Sequence, residues 1–213
     1  MRTWLQALAC TTTLLAFPMA GVAMGQSIDV KGYGLVGNAT FAATDSFEAV
    51  LGSASGPIFG GGAEVGLPFG GLYVGVGGWR FKQDGERAFI SGGQVFPLGI
   101  PLTVQVTSIE VTGGWRFRNL SRRVVPYAGA GWSAVTYEET SRFAEAGENV
   151  DQRFNGFHLL AGAEFRLTAW LGVGGELAWA RVPDALGEGG VSEAFGETDL
   201  GGTSLRLKIS IGR

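Results

Sequence analysis

The stretch Ser204-Leu-Arg-Leu-Lys-Ile-Ser-Ile211 alternates apolar and polar side chains without a break. Because successive side chains of a β-strand point to opposite faces, this period of two predicts a strand with one apolar face and one charged face. Seven further segments of similar length precede it. The eight predicted strands lie at about 28–42, 57–67, 71–82, 102–118, 124–138, 153–168, 171–182 and 200–212.

The first two dozen residues have the composition of an export signal. One positive charge, at Arg2, is followed by an apolar stretch and then by the small residues Ala20-Gly21-Val22-Ala23. The apolar stretch is too short and too polar to span a bilayer as a helix. We predict a signal peptide over 1–23, with cleavage after Ala23 or after Gly25, and one folded domain over 24–213.

The composition narrows the class of protein. The chain has 37 glycines and 11% aromatic residues, and its apolar residues are distributed as alternation rather than as a helical span. Its single cysteine, Cys10, lies in the predicted leader, so we expect neither a disulfide nor a thiolate metal site in the mature protein. The formal net charge of −3 argues against a nucleic-acid partner.

The connections between the predicted strands alternate in length. Tight turns at about 68–70, 119–123 and 168–170 separate long connections at about 44–56, 83–101, 139–152 and 183–199. Outer-membrane barrels have this pattern, with the tight turns in the periplasm. We therefore predict an all-β fold, an eight-stranded antiparallel up-and-down transmembrane β-barrel in the bacterial outer membrane. Aromatic girdles are predicted from Tyr73, Trp79, Phe81, Trp115, Phe117, Tyr127, Tyr137 and Trp179.

Charged residues occupy alternate positions in several predicted strands, so they share one face, and this predicts a polar barrel interior. The fourth, sixth, seventh and eighth segments alternate cleanly, whereas the first, third and fifth are mixed and predict no facing. An interior charge network is expected from Glu64, Arg80, Glu110, Arg116, His158, Glu164, Arg166, Glu176, Arg206 and Lys208. Unpaired ions in a closed interior cost several kcal/mol, so these charges must pair. Since eight strands leave room only for side chains or one small ligand, we favour a filled lumen over a polar pathway or ligand site.

Glycine and aromatic spacings resemble a known family. Pro126-Tyr-Ala-Gly-Ala-Gly-Trp132 and Leu171-Gly-Val-Gly-Gly-Glu-Leu-Ala-Trp179, with the closing strand, look like the small outer-membrane barrels grouped with the OmpA transmembrane domain, OmpX and the opacity-type adhesins. The resemblance covers the whole mature chain and implies fold more than activity. The sequence ends Ile211-Gly-Arg213 where the resemblance implies an aromatic residue, and we expect no wall-binding domain after the barrel.

The surroundings of the single histidine indicate whether the sequence encodes a catalytic site. Barrel deacylases of similar architecture carry a serine two residues after the histidine, and Leu160 occupies that position after His158. A nucleophile is therefore missing at the position that the resemblance implies, although Glu164 is a conceivable orienting group for His158. We expect no enzyme activity, no catalytic residue, no cofactor and no metal site.

The charges of the predicted loops and turns indicate which partners to expect. Acidic residues dominate the last loop (Asp184, Glu188, Glu193, Glu197, Asp199), and basic residues are expected at the periplasmic end (Arg118, Arg122, Arg123, Arg213). We expect a monomer in contact with outer-membrane lipid and lipopolysaccharide, and an extracellular ligand bound by the acidic loops. The predicted role is structural or surface interaction. The alternatives are a narrow porin-like channel or conduit for small hydrophobic molecules, a lipid-modifying enzyme, and a soluble periplasmic barrel.

Overall fold

The computed structural model describes residues 28–68, 70–92, 94–118, 121, 123–143, 149–187 and 189–212. Eight antiparallel strands close into a barrel in chain order, with β1 paired to β8. They are β1 (Asp29–Phe41), β2 (Ser55–Gly66), β3 (Leu72–Ser91), β4 (Gln94–Arg116), β5 (Val124–Thr140), β6 (Val150–Arg166), β7 (Leu171–Arg181) and β8 (Gly202–Gly212). This confirms the predicted fold. The predicted leader, Arg122, Glu188 and Arg213 lie outside the described residues.

The facings predicted for the cleanly alternating strands are confirmed. In β8, Leu205, Leu207 and Ile209 face outward and are 57–64% exposed, whereas Arg206 and Lys208 are buried in the lumen. The outward apolar side chains form the lipid-facing surface. On β6 the outward Phe157 and Phe165 are eight residues apart, which corresponds to about 27 Å along the strand. If the strands tilt by about 40° from the barrel axis, this distance is about 20 Å along the axis.

The predicted aromatic girdles were partly wrong. Trp115, Phe117 and Trp179 do face outward and are 40–44% exposed. The tyrosines, Phe81 and Trp79 face the lumen instead, because their rings pack against interior cations or in the apolar core described below. Outward aromatic residues near the two ends of the barrel are Trp115, Phe117, Phe165 and Trp170 at one end and Phe59, Trp132, Phe157 and Trp179 at the other.

The connection predicted at 83–101 is not a loop. β3 and β4 continue as a hairpin from Lys82 and Gln105 to Ser91 and Gln94, with a β-bulge after Glu86. Pro97, Gly99 and Pro101 interrupt the alternation of β4, which is why the sequence predicted a break. The prolines are tolerated because β5 pairs with β4 only from Thr103 onward, so this part of β4 is an edge.

Two short helices, which the sequence analysis did not predict, lie in the connections at the end opposite the chain termini. They are α1 (Thr44–Leu51) and α2 (Gly190–Phe195). Helix α1 places Phe47, Val50 and Leu51 on one face, and it ends at Gly52, whose φ of 73° and N–H bond to Glu48 O form a left-handed cap. Neither helix is long and apolar enough to cross a membrane. The end that carries them is extracellular by the rule that long connections face outward.

Candidate functional site in the barrel lumen

The lumen contains two layers of opposite chemistry. The periplasmic half holds a polar network, defined by Asp29, Lys31, Glu64, Glu110, Arg116, His158, Glu164, Glu176, Arg206 and Lys208. The extracellular half holds an apolar plug, defined by Leu35, Phe41, Phe47, Ile58, Phe81, Val106 and Val135. The period of two turns alternate residues inward, so that Arg206 and Lys208 of β8 enter the polar layer and Val106 of β4 enters the apolar layer.

Arg206 is the central cation of the polar network. Its Nη1 and Nη2 atoms each lie 2.9 Å from a Glu110 carboxylate oxygen, in a two-pronged contact, and Nη1 lies 3.4 Å from Glu176 Oε1. Its Nε donates to Ser204 Oγ at 2.9 Å. Trp79 Nε1 donates to Glu110 at 2.7 Å. A planar guanidinium held in this way has its charge neutralised by two carboxylates, as a buried ion requires.

A chain of ion pairs continues from this centre toward the periplasm. Lys208 Nζ lies 2.8 Å from Glu64 Oε1 and 3.3 Å from Glu176 Oε2. Glu64 also accepts a hydrogen bond from Arg116, which in turn lies 3.5 Å from Asp29. Asp29 is also paired with Arg118, which lies at the periplasmic edge outside the network. Each carboxylate of the chain therefore contacts at least one cation, as buried charges require.

A second ion pair stands beside this chain. Lys31 Nζ lies 2.6 Å from Glu164 Oε1, and Ser210 Oγ donates to the other oxygen of Glu164 at 3.0 Å. Arg166, which the sequence also assigned to the interior, is partly exposed and lies 3.8 Å from Glu164. The pair therefore extends the network to the periplasmic edge of the barrel.

His158 is enclosed between two hydroxyl groups. Its Nδ1 lies 2.8 Å from Ser133 Oγ and its Nε2 lies 2.9 Å from Thr112 Oγ1. The His158 and Ser133 side chains are 1% and 2% exposed. Both ring nitrogens are therefore satisfied by neighbours within the wall. Among the described residues no group of three or more His, Cys, Asp or Glu side chains is placed to hold a metal ion.

Glycines in the wall make room for the interior rings. A Cβ atom at Gly77 would lie 2.1 Å from Tyr33 Oη, and one at Gly131 would lie 2.0 Å from Val111 O and 2.7 Å from the His158 ring. The Tyr33 ring in turn lies under Lys208, whose Nζ is 4.0 Å from the ring centroid. Part of the high glycine content is thus explained by rings that lie directly on the barrel wall.

The apolar plug closes the lumen above the network. Ile58 and Phe81 are fully buried, and Phe81 packs edge to face on Phe41 with ring centroids 4.9 Å apart. Phe41 stacks on Phe47 of α1 at 4.3 Å. A helix from an extracellular connection thus contributes to the core. One cavity beside the plug, lined by Ala178 and Ser108 among others, has a volume of about 30 Å³, about the space that one water needs.

Of the ten interior residues that the sequence named, the structure places eight in the polar network and Arg166 at its periplasmic edge, and it corrects Arg80. Arg80 faces outward with Leu72, Val74 and Val76, and it donates a hydrogen bond to the outward Gln105. The sequence did contain a signal for this outward facing, because Arg80 occupies the same alternating positions of β3 as these apolar residues. Arg80 can face outward because it lies above the lipid-facing band, level with Phe59.

Sequence reasoning missed Asp29 and Lys31 of the network. They lie in β1, whose inward parity also contains Leu35 and Ala39, so no single face is charged along its length. The inward tyrosines were missed because an amphipathic ring is compatible with both a lipid interface and a polar lumen. Only the pairing register, which places β1 beside β8, shows that Lys31 lies level with the end of β8.

The last loop organises the extracellular end. Glu197 accepts hydrogen bonds from the backbone N–H groups of Asp45 and Ser46, at 3.0 and 2.8 Å, and so caps the N-terminus of α1 from a distant part of the chain. Asp199 accepts bonds from the N–H groups of Val182 and Gly201, both at 2.8 Å. Two of the acidic residues expected to bind a ligand therefore hold the loops together.

These features define an integral β-barrel of the bacterial outer membrane. A family model described as the outer membrane protein beta-barrel domain matches residues 12–192. The chain belongs to this family. No curated protein sequence is similar enough to the chain to count as a match.

Solved structures share the fold. A major outer membrane protein from Thermus thermophilus is 13% identical and aligns with a TM-score of 0.52 over 86% of this chain and 99% of that one. OprG from Pseudomonas aeruginosa is 9% identical, with a TM-score of 0.52 over 87% and 95%. Neisserial surface protein A is 15% identical, with a TM-score of 0.50 over 87% and 95%. At these identities the likeness concerns the fold alone.

Proposed function

We propose that this protein is a filled outer-membrane barrel with a structural or surface-interaction role, in which the strands anchor an ordered extracellular end. The apolar plug carries this proposal. It places fully buried Ile58 and Phe81 across the lumen, and it is continuous with α1 through Phe47. A barrel built as a conduit would leave this level of the lumen open to solvent.

The conduit for small hydrophobic molecules receives less support. Its sequence signal was the small inner face of β7, and those residues lie against larger neighbours. Gly172 faces the Glu164 and Ser210 side chains, and Ala178 is 2% exposed. Small residues at these positions accommodate side chains from other strands, so they leave no continuous passage.

A lipid-modifying enzyme is also weighed against the geometry. The contact between Ser133 and His158 resembles a nucleophile and its base, but both side chains face the lumen beneath the plug. A lipid substrate in the bilayer has no route to them, and His158 Nε2 contacts Thr112 rather than a carboxylate. We therefore propose that His158 is a structural member of the network and that the protein is not an enzyme.

The proposed partners of the barrel wall are outer-membrane lipid and lipopolysaccharide. Arg80, Lys82 and Arg153 are exposed on the outer face, close to the level of the outward aromatic Phe59. Cations at this height suit the phosphate groups of the outer leaflet. We further propose that the barrel is a monomer, since closure between β1 and β8 leaves no unpaired edge within the membrane.

Planar-bilayer recording tests the filled lumen. Purified protein is expected to give no discrete conductance steps under conditions in which a reference porin inserts and conducts. Reproducible unitary channels would refute the proposal. Full lipid-modifying activity that is lost in His158→Ala would refute the non-catalytic role.

A further inference from the structure

A second compartment lies above the apolar plug. It is a cavity of about 510 Å³ lined by α1, the upper ends of β4, β5 and β6, and residues 184–187 and 189–192. Its volume falls within the range of roughly 300–1,000 Å³ that is typical of small-molecule sites. Its lining includes no residue of the polar network, so it is distinct from the site described above.

The floor of this cavity and the wall formed by α1 are mainly apolar. Helix α1 contributes Phe47, Val50 and Leu51, and the floor is formed by Leu102 and Val104, which are 5% and 2% exposed. These floor residues belong to the same buried cluster as the plug. The cavity is therefore closed toward the lumen below it, and a ligand would enter and leave by the extracellular side.

The polar groups of the lining disfavour an anion. Glu139 and Asp184 line the cavity with Arg87, so two carboxylates accompany one guanidinium among the described lining residues. Tyr137 donates its hydroxyl hydrogen to Glu139. A carboxylate or phosphate headgroup would meet these acids, whereas an uncharged headgroup avoids the repulsion.

Ser46 supplies an unsatisfied hydrogen-bonding group at the wall. It is 7% exposed, and its Oγ has no hydrogen-bond partner among the described residues. The backbone N–H of Ser46 is held by Glu197, so the position of the residue is fixed. A buried hydroxyl without a partner is unfavourable, and a ligand hydroxyl or carbonyl group would relieve this.

We propose that this cavity binds an uncharged amphiphile, whose alkyl or ring body packs on α1 and the floor and whose hydroxyl or carbonyl group pairs with Ser46. This inference rests on the proposed function, because the plug is the floor of the cavity. Because Ser46 Oγ is buried in the free protein, the proposed pairing includes rotation of the Ser46 side chain toward the cavity.

The test is a titration of the protein in lipid nanodiscs with 1-decanol, followed by methyl NMR. Methyl resonances of Leu51, Leu102 and Leu186 are expected to shift saturably, whereas those of the lipid-facing Leu207 shift linearly as the alcohol enters the bilayer. Decanoate at neutral pH is expected to bind at least about five-fold more weakly than the alcohol, because of the carboxylates in the lining.

Three variants assign the site. Ser46→Ala is expected to weaken 1-decanol about three- to ten-fold without loss of stability, since it removes a hydroxyl that has no partner in the free protein. Ser53→Ala is the matched control, because Ser53 lies outside the lining and bonds to Ser55. Val191→Trp is expected to abolish the saturable shifts by filling the cavity.

If the barrel does not conduct and 1-decanol causes no saturable shifts, the ligand proposal is overturned while the proposed function stands. Tighter binding of decanoate than of 1-decanol, or equal affinity of Ser46→Ala and wild type, overturns the assigned chemistry. Discrete channels in bilayer recordings would instead remove the closed floor, and with it the proposed function.

Discussion

Replacement of Arg206 by methionine tests the energetics of the polar network most sharply. The substitution keeps a side chain of similar length but removes the cation shared by Glu110 and Glu176, which are 6% and 2% exposed. Lys208 remains 3.3 Å from Glu176, so that carboxylate keeps a partner. Glu110 loses both of its 2.9 Å contacts and keeps only the hydrogen bond from Trp79.

Leaving a buried charge without its partner costs about 3–5 kcal/mol. Arg206→Met is therefore expected to lower the free energy of unfolding by about 3–5 kcal/mol, which corresponds to roughly a hundred- to several-thousand-fold in the folding equilibrium constant. Denaturant unfolding in phospholipid vesicles, followed by tryptophan fluorescence and by the mobility of unheated samples in SDS gels, measures this change.

A control and a rescue accompany this measurement. Arg181→Met removes the solvent-exposed ion pair between Arg181 and Asp199, whose charged atoms lie 3.4 Å apart, and is expected to lower the free energy of unfolding by at most about 1 kcal/mol. Adding Glu110→Gln to Arg206→Met neutralises the orphaned carboxylate and is expected to restore at least about 1 kcal/mol. The reasoning is refuted if Arg206→Met unfolds within about 1 kcal/mol of the wild type.

Three further substitutions test the packing of the barrel and its extracellular end. Phe81→Ala, at a fully buried position of the plug, is expected to cost about 3–5 kcal/mol, and at least about 1 kcal/mol more than Phe59→Ala, because truncation of the 61% exposed Phe59 leaves no enclosed cavity. Gly131→Ala is expected to cost about 1–3 kcal/mol in the same unfolding assay, since its Cβ would collide with Val111 O. Glu197→Gln is expected to weaken the cap of α1 by about 1 kcal/mol and to speed amide hydrogen exchange in its first turn.

Two matched variants complete these tests. Gly113→Ala points outward, and its Cβ would have no atom within 4 Å, so it is expected to stay within about 0.5 kcal/mol of the wild type. Glu193→Gln removes an acidic residue of α2 and is expected to leave exchange in α1 unchanged. Equal effects of Gly131→Ala and Gly113→Ala, or of Glu197→Gln and Glu193→Gln, would contradict the packing and capping described here.

The barrel was predictable because its strongest signal is local. The alternation in β8 and in β4, β6 and β7 follows from burial of one face in lipid and the other in the lumen, and each strand displays it independently. The hairpin extension of β3 and β4 was not predictable in the same way. Residues such as Pro97 and Phe96 lie beyond the neighbouring strands, where no opposite faces impose a period of two.

The sequence could predict the site only in part, because alternation along a strand shows which side chains point into the lumen but not which of them make contact. Arg206 and Glu176 could be assigned to the lumen, and even to neighbouring strands, from their place in clean alternation. Contacts across the lumen, such as Arg206 with Glu110, depend on the register and curvature of the closed barrel. Helix α1 depends on Glu197, which lies 152 positions after Asp45 and which no local pattern reveals.

The central claim, a lumen sealed by the apolar plug, is tested most directly by thiol labelling. Ser108 lies between the plug residue Val106 and the network residue Glu110 and is 1% exposed. The natural cysteine, Cys10, precedes the barrel and lies in the predicted leader, so Ser108→Cys introduces the one thiol expected in the mature protein. A charged methanethiosulfonate reagent on both sides of proteoliposomes is expected to leave Ser108→Cys unmodified while it labels Ser53→Cys in the extracellular connection. Rapid labelling of Ser108→Cys would show that water reaches the middle of the barrel and would contradict the sealed lumen.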